Sequence, residues 1–215
     1  MSVDEVYRTL SEHLKHDEWE YQRERMIRYR SRNRADGLEL SIFLCQSCGR
    51  IGSLESAGNE IRCAACGFTA HITEYGFFDG ESRFKTIRDW NLWQLGELRS
   101  RLSRCGTTNE TCCFSDGPVV VMTGFRSQGM EPAFQGECLL LSDRVRVRTR
   151  DGEEVDFEID RIVGVNVQLH EQMEFYYGDR LYSFVFERPV SGYKWMIAIQ
   201  MLQGKEPESV EMASV

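Results

Sequence analysis

The stretch from Leu44 to Phe68, LCQSCGRIGSLESAGNEIRCAACGF, limits what this chain can fold into more than any other. It holds two Cys-x-x-Cys-Gly turns, Cys45/Cys48 and Cys63/Cys66, separated by fourteen residues. Two thiolates at this spacing clamp one side of a tetrahedral cation, the Gly just beyond releases the backbone, and a second such turn completes the coordination. The spacing predicts one Zn(Cys)4 site. Four thiolates leave no vertex for a water molecule, so the zinc is expected to be structural. Free thiols or a redox Cys-x-x-Cys are the alternatives, and two matched turns at ribbon spacing argue against both. His71 is close in sequence, but with four cysteines in place it reads as a strand side chain.

Eight cysteines in 215 residues, four of them in metal turns, fit a reducing interior better than a disulfide scaffold, which points to the cytoplasm. No apolar run approaches a membrane span, and the opening MSVDEVYRTL is acidic where a signal peptide would be basic and apolar. Of the net charge of −8, residues 151–215 account for the whole. Residues 37–80, which hold the cysteine turns, carry −3, with only Arg50 and Arg62 to meet phosphates, and this counts against a nucleic-acid partner.

The order of elements predicts an α+β chain. Residues 1–36 read as two helices: Ser2 and Glu5 form a capping box ahead of Val6, Leu10 and Leu14, and Asp17 starts a second helix running towards Asn33. Arginines at 23, 25, 28, 30, 32 and 34 crowd that second helix. They read either as a solvated face with Glu20–Arg23 and Glu24–Arg28 pairs or as a surface for acidic lipid heads, with Arg23, Arg28 and Arg30 as candidate contacts. Residues 37–80 form the zinc ribbon, with strands expected at 40–44, 60–62 and 68–73. In residues 81–117, Thr86 and Asp89 have N-cap and N3 spacing for a connecting helix to Arg104, followed by a turn-rich linker. Ile87, Leu98, Leu102 and Cys105 share one face of that helix, flanked by Trp90 and Leu95. Leu92 and Trp93 point elsewhere, so the helix is wedged between two layers or faces a partner. Cys105, Cys112 and Cys113 lack paired spacing and read as free thiols.

From residue 118 to 203 the pattern changes to seven short strands and one amphipathic helix, capped by Ser191 and carrying Trp195, Ala198, Ile199 and Leu202. This resembles a pleckstrin-homology-like barrel in architecture. Residues 204–215 lack periodicity and are expected to be disordered. Within the strands, Arg144, Arg146, Arg148 and Arg150 alternate with apolar or small residues, as do Glu154, Asp156, Glu158 and Asp160. A three-residue loop, Asp151-Gly152-Glu153, with left-handed Gly152, matches charge to charge and pairs 150 with 154, 148 with 156, 146 with 158 and 144 with 160. Gly178-Asp179 predicts a tight II-prime turn.

The four histidines, His13, His16, His71 and His170, sit in no nucleophile or hydrolase pattern, and neither a Walker loop nor a dinucleotide fingerprint occurs. From the residues alone this is a binding or scaffolding module. The run RNRADGLELSIFLCQSCGR, GNEIRCAACGF, TEYGFF and IRDWNLWQ resembles the cysteine-rich extension behind the catalytic domain of some bacterial 1-acyl-glycerol-3-phosphate acyltransferases. The resemblance spans about residues 5–104 and, more loosely, the YKW-containing helix; its specific part is Arg34 to Leu40 and Tyr75 to Trp93. That family's catalytic His-x4-Asp motif is absent, since the fifth residue after each histidine is Glu18, Tyr21, Gly76 or Phe175. The resemblance therefore implies a non-catalytic accessory region that docks on an acyltransferase catalytic domain through Leu92 and Trp93, or at the anionic inner face of a membrane. A nucleic-acid-binding zinc ribbon is the alternative.

Overall fold

A computed structural model describes residues 2–14, 17–105, 111–125, 129–169 and 172–205, with side chains of 11–14 left aside. The expected tail at 204–215 lies outside the described residues from 206 on, as does the loop at 106–110, while Gly204 and Lys205 still donate to the Met201 and Gln200 carbonyls. Helix α1 spans Val3–Leu14 and α2 spans Glu18–Arg25. Both begin as the caps predict. The Ser2 amide donates to Glu5 Oε2 at 2.7 Å while Ser2 Oγ accepts from the Glu5 amide at 3.2 Å, and Asp17 accepts from the Trp19 and Glu20 amides. The predicted run to Asn33 does not form, because Met26 turns left-handed (φ 48°, ψ 50°) and ends α2 at Arg25. The buried Gln22 fixes this exit by donating from Nε2 to the Ile27 and Tyr75 carbonyls.

Residues 37–80 form a four-stranded antiparallel sheet in the order β1 (Leu54–Ala57), β2 (Glu60–Cys63), β3 (Thr69–Ile72), β4 (Phe78–Gly80). The strand expected at 40–44 is absent. A 3-10 turn at Leu38–Leu40 is followed by a single bridge from Leu44 to Ile51, because the amides of Phe43 and Leu44 are taken by the side chain of Gln94. Helix α3 (Ile87–Cys105) carries Thr86 as its cap, with Thr86 Oγ1 accepting from the Asp89 amide at 3.0 Å.

The second sheet is a seven-stranded antiparallel curl: β5 (Phe114–Phe125), β6 (Gly129–Leu140), β7 (Arg144–Thr149), β8 (Glu154–Glu158), β9 (Ile162–Gln168), β10 (Gln172–Tyr177) and β11 (Arg180–Phe186). Its spatial order is β8-β7-β6-β5-β11-β10-β9. The two edge strands are consecutive in the chain and joined only by residues 159–161. A flat sheet would hold them about 29 Å apart, whereas that link reaches roughly 14 Å, so the sheet must curl. Helix α4 (Gly192–Leu202) lies against β9 and β10, and Gln203 Nε2 donates to the Ile159 and Ile162 carbonyls at 2.8 Å, pinning the helix end to the link. Phe157 sits at the centre of the enclosed core, edge-on to Phe175 at 5.4 Å and to Tyr182 at 4.9 Å. Strand β5 begins at Phe114, inside the expected linker.

The charged hairpin forms with the expected parity but with its register displaced by two. Arg144 faces Glu158, Arg146 faces Asp156 and Arg148 faces Glu154, while Arg150 moves into the turn and approaches Glu187 at 3.6 Å. Alternation fixes only which face each side chain occupies, and a loop one residue earlier keeps Gly152 left-handed (φ 86°). Gly178 (φ 65°) starts the two-residue turn between Tyr177 and Arg180, as expected.

Asp156 links the ladder by accepting from Arg146 at 2.7 Å and from Arg144 at 2.9 Å. Those bonds hold its carboxyl below the usual carboxylate range, as the Arg144 fork does for Asp143. A carboxyl lowered in the folded state stabilises it above the unfolded value near 4 and loses that contribution as pH falls further. Asp156→Asn is expected to cost about 1 kcal/mol at neutral pH and much less at pH ~2, as measured by urea unfolding at both.

Candidate metal centre

The two cysteine turns are built alike. In the first, the Gly49 amide donates to the Cys45 carbonyl at 2.9 Å and the Cys45 amide to the Arg50 carbonyl at 3.1 Å. In the second, Gly67 donates to Cys63 at 3.0 Å and Cys63 to Phe68 at 2.8 Å. Each hairpin folds back through a left-handed glycine, Gly49 (φ 69°) or Gly67 (φ 77°), which a side chain would disfavour.

This folding brings together all four predicted sulfurs. Cys45 Sγ is 3.8 Å from Cys66 Sγ, Cys48 Sγ is 3.8 Å from Cys63 Sγ, and all four lie within 4.8 Å of one another. A tetrahedral ion with metal–sulfur bonds of about 2.3 Å requires sulfur–sulfur edges of about 3.8 Å, so the cluster could hold a metal ion. Cys45 and Cys63 are buried, while Cys48 and Cys66 face solvent.

The surroundings act differently on the two buried thiols. Burial pushes Cys45 up to about 12, against the pull of the Ser47 and Cys48 amides. Burial acts on Cys63 in the same direction, but Ser53 Oγ at 3.2 Å and the amides of Ala65 and Cys66 bring it down to about 6. Amides and a hydroxyl directed at sulfur stabilise thiolate, the form that binds metal. His71 stands apart, half exposed on β3 and 3.6 Å from Asp79.

Helix α3 ties this centre to the curled sheet. Arg101 Nη2 donates to the Gly49 carbonyl at 2.6 Å, and the fully buried Trp90 donates from its indole to the Leu44 carbonyl at 2.9 Å. Gln94, also fully buried, accepts from the Phe43 and Leu44 amides and donates to the Ser41 carbonyl. One turn further on, Leu98 and Leu102 join the core of the curled sheet. The wedge expected for α3 is thus present, with Trp90 serving the cysteine-rich core and Leu98 the other.

Of the candidate docking residues, Leu92 is half exposed, at 51%, whereas Trp93 is partly buried against both cores, with Phe84 at 5.5 Å and the Arg83 guanidinium at 4.9 Å. Arg23, Arg28 and Arg30 are exposed. Arg28 pairs with Glu74, and neither the Glu20–Arg23 nor the Glu24–Arg28 pair forms among the described residues.

A further feature was not anticipated. Lys194 of α4 is buried and reaches Asp116 at 2.6 Å beside Gly52, where the cysteine-rich unit meets the curled sheet. Its only sequence signal is a lysine within the apolar helix GYKWMIAIQML.

No family model matches the chain, and no curated protein matches it. Among solved structures, a chain of the 8S snRNP assembly intermediate is similar over 50% of this chain and 93% of its own, at 10% identity and a TM-score of 0.36. The EVH1 domain of Dm DCP1, solved in complex with the XRN1 DBM peptide, is similar over 59% of this chain and 93% of its own, at 12% identity and a TM-score of 0.36. Likenesses this remote carry neither the fold nor the function.

Proposed function

We propose that this chain is a zinc-ribbon and pleckstrin-homology-like docking module that accompanies a phospholipid-synthesis acyltransferase and performs no chemistry of its own. The observation that carries this reading is the tetrad itself: four sulfurs at tetrahedral spacing fill every position around one ion. Zinc suits four thiolates in a reducing compartment, and a closed shell activates no water. The order of the seven-stranded curl, with helix α4 against β9 and β10, supports the pleckstrin-homology-like assignment of the second unit. The link to an acyltransferase rests on the resemblance of Arg34 to Leu40 and Tyr75 to Trp93. The ribbon's acidic balance disfavours the nucleic-acid alternative.

Leu92 is the part of the α3 surface available to the catalytic domain, since Trp93 serves the fold. Leu92→Asp is expected to weaken binding to the matching acyltransferase catalytic domain at least tenfold, a typical loss for an apolar contact at an interface centre, with the melting temperature unchanged. Titration calorimetry with the purified domain measures this, and equal affinity for both proteins would remove α3 as the docking face.

A further inference from the structure

The loop after α2 brings half-exposed apolar side chains and positive charge together. Met26, Ile27 and Tyr29 are 48%, 44% and 51% exposed. Met26 holds the left-handed C-cap of α2, a position that glycine fills without penalty, and leaves about half of its surface exposed. Strain kept at such a position motivates a search for function.

The loop is also held firmly. Gln22 grips the Ile27 carbonyl at 2.6 Å, and the Tyr29 amide donates to the Glu74 carbonyl at 2.7 Å, fastening the segment to the metal-binding unit. Around it, residues 26–34 contain four arginines and no acid. Arg28 is neutralised by Glu74, but Arg30 and Arg32 are exposed and have no acidic partner among the described residues. They flank a cavity of about 330 Å³.

We propose that Met26, Ile27 and Tyr29, with Arg30 and Arg32 beside them, form a loop that docks this protein on an anionic lipid bilayer. The proposal names the membrane-facing surface of the docking role above and rests on that reading. Apolar side chains enter the interface while guanidinium groups meet lipid phosphates, a combination that a bilayer satisfies in full. Single-stranded nucleic acid would meet the arginines and could stack on Tyr29, but it offers nothing to the aliphatic Met26 and Ile27. The net charge of −8 is matched by residues 151–215 alone, whereas residues 26–34 carry four arginines and no acid.

The test is flotation of the zinc-loaded protein with vesicles of equal parts phosphatidylcholine and phosphatidylglycerol, and with phosphatidylcholine alone. The wild type is expected to bind the anionic vesicles and to lose that binding on the neutral ones. Arg30→Gln with Arg32→Gln should weaken binding about 25-fold, roughly fivefold for each charge. Met26→Gly with Ile27→Ser should weaken it at least tenfold while leaving the melting temperature equal or higher, since glycine relieves the left-handed cap. Equal binding to both vesicles, or wild-type binding by both double variants, would overturn the proposal. Binding of a single-stranded oligonucleotide that needs the arginines, with vesicle binding indifferent to Met26 and Ile27, would overturn it in favour of nucleic acid. Affinity for the catalytic domain measured without lipid keeps the two readings separable. If it persists while vesicle binding fails, this loop is excluded and the docking role stands.

Discussion

Serine in place of any one of Cys45, Cys48, Cys63 or Cys66 is expected to unfold the cysteine-rich unit while the curled sheet survives, and a strong chelator should do the same to the wild type. Metal ligation at structural sites contributes about 10–16 kcal/mol in small peptides, more than the whole stability of a typical domain. Residues 35–80 have little to replace it. Their core is one small cluster around Ile42, Ile61, Phe78 and Trp90 on four strands of three or four residues. The curled sheet has an aromatic core around Phe157, built mostly from its own strands and α4, and is expected to persist without the ion. Hydrogen exchange of the Trp90 and Trp195 indoles reads the two units separately, since Trp90 donates to Leu44 in one and Trp195 to Asp116 in the other.

The pattern over the four positions separates ligation from packing. Cys45 and Cys63 are buried, and Cys48 and Cys66 are exposed. If the cysteines acted only by filling space, serine would be costly at the first two and nearly neutral at the others. Ligation predicts equal and severe losses at all four. Elemental analysis should find one zinc per chain, and acid should release it as protons compete for the thiolates. A cysteine-rich unit that keeps its exchange protection after chelation would sink the metal assignment.

What could be read from the sequence and what could not divide along the separation of the residues involved. The tetrad was legible because each pair of cysteines has two residues between its members and its glycine directly follows, so the pattern is local. The strands of the curled sheet were legible through alternation, and so was the pairing of charged faces between β7 and β8. Alternation, however, repeats every two residues, and the register missed by that step. Residues 40–44 looked like a strand because they are apolar. Their amides are instead taken by Gln94, fifty residues away, a contact that no local pattern carries. The end of α2 was hidden for a similar reason: a methionine in the left-handed region follows from the grip of Gln22 on Ile27 and Tyr75, and not from helix propensity.

Asp116→Ala is expected to be among the most damaging changes outside the metal centre, at about 3–5 kcal/mol, and clearly worse than Lys194→Met. The two side chains pair at 2.6 Å but are not equally buried: Lys194 is 2% exposed and Asp116 is 14% exposed. Lys194 also stands in the first turn of α4, whose N-terminal dipole disfavours a cation. Among the described residues, Asp116 and the face of Phe114, 4.9 Å away, offset those costs. Without Asp116 the ammonium is stranded. Without Lys194, Asp116 still reaches some solvent and keeps the bond from the Trp195 indole at 2.8 Å. Adding Lys194→Met to Asp116→Ala should therefore restore part of the lost stability, because the uncompensated charge is gone while the Trp195 indole still lacks its acceptor. Urea unfolding of the two single variants and the double variant measures this cycle, and simple additivity would refute it. The approach of Gly52 to Lys194 Nζ makes the cycle depend on metal, since the cysteine-rich unit supplies part of the cover over the ammonium. In the chelated protein that cover opens, water reaches Lys194, and the cost of Asp116→Ala should fall towards the roughly 0–1 kcal/mol of a surface pair. A cost unchanged by chelation would mean that the cysteine-rich unit and the sheet are energetically independent at this seam.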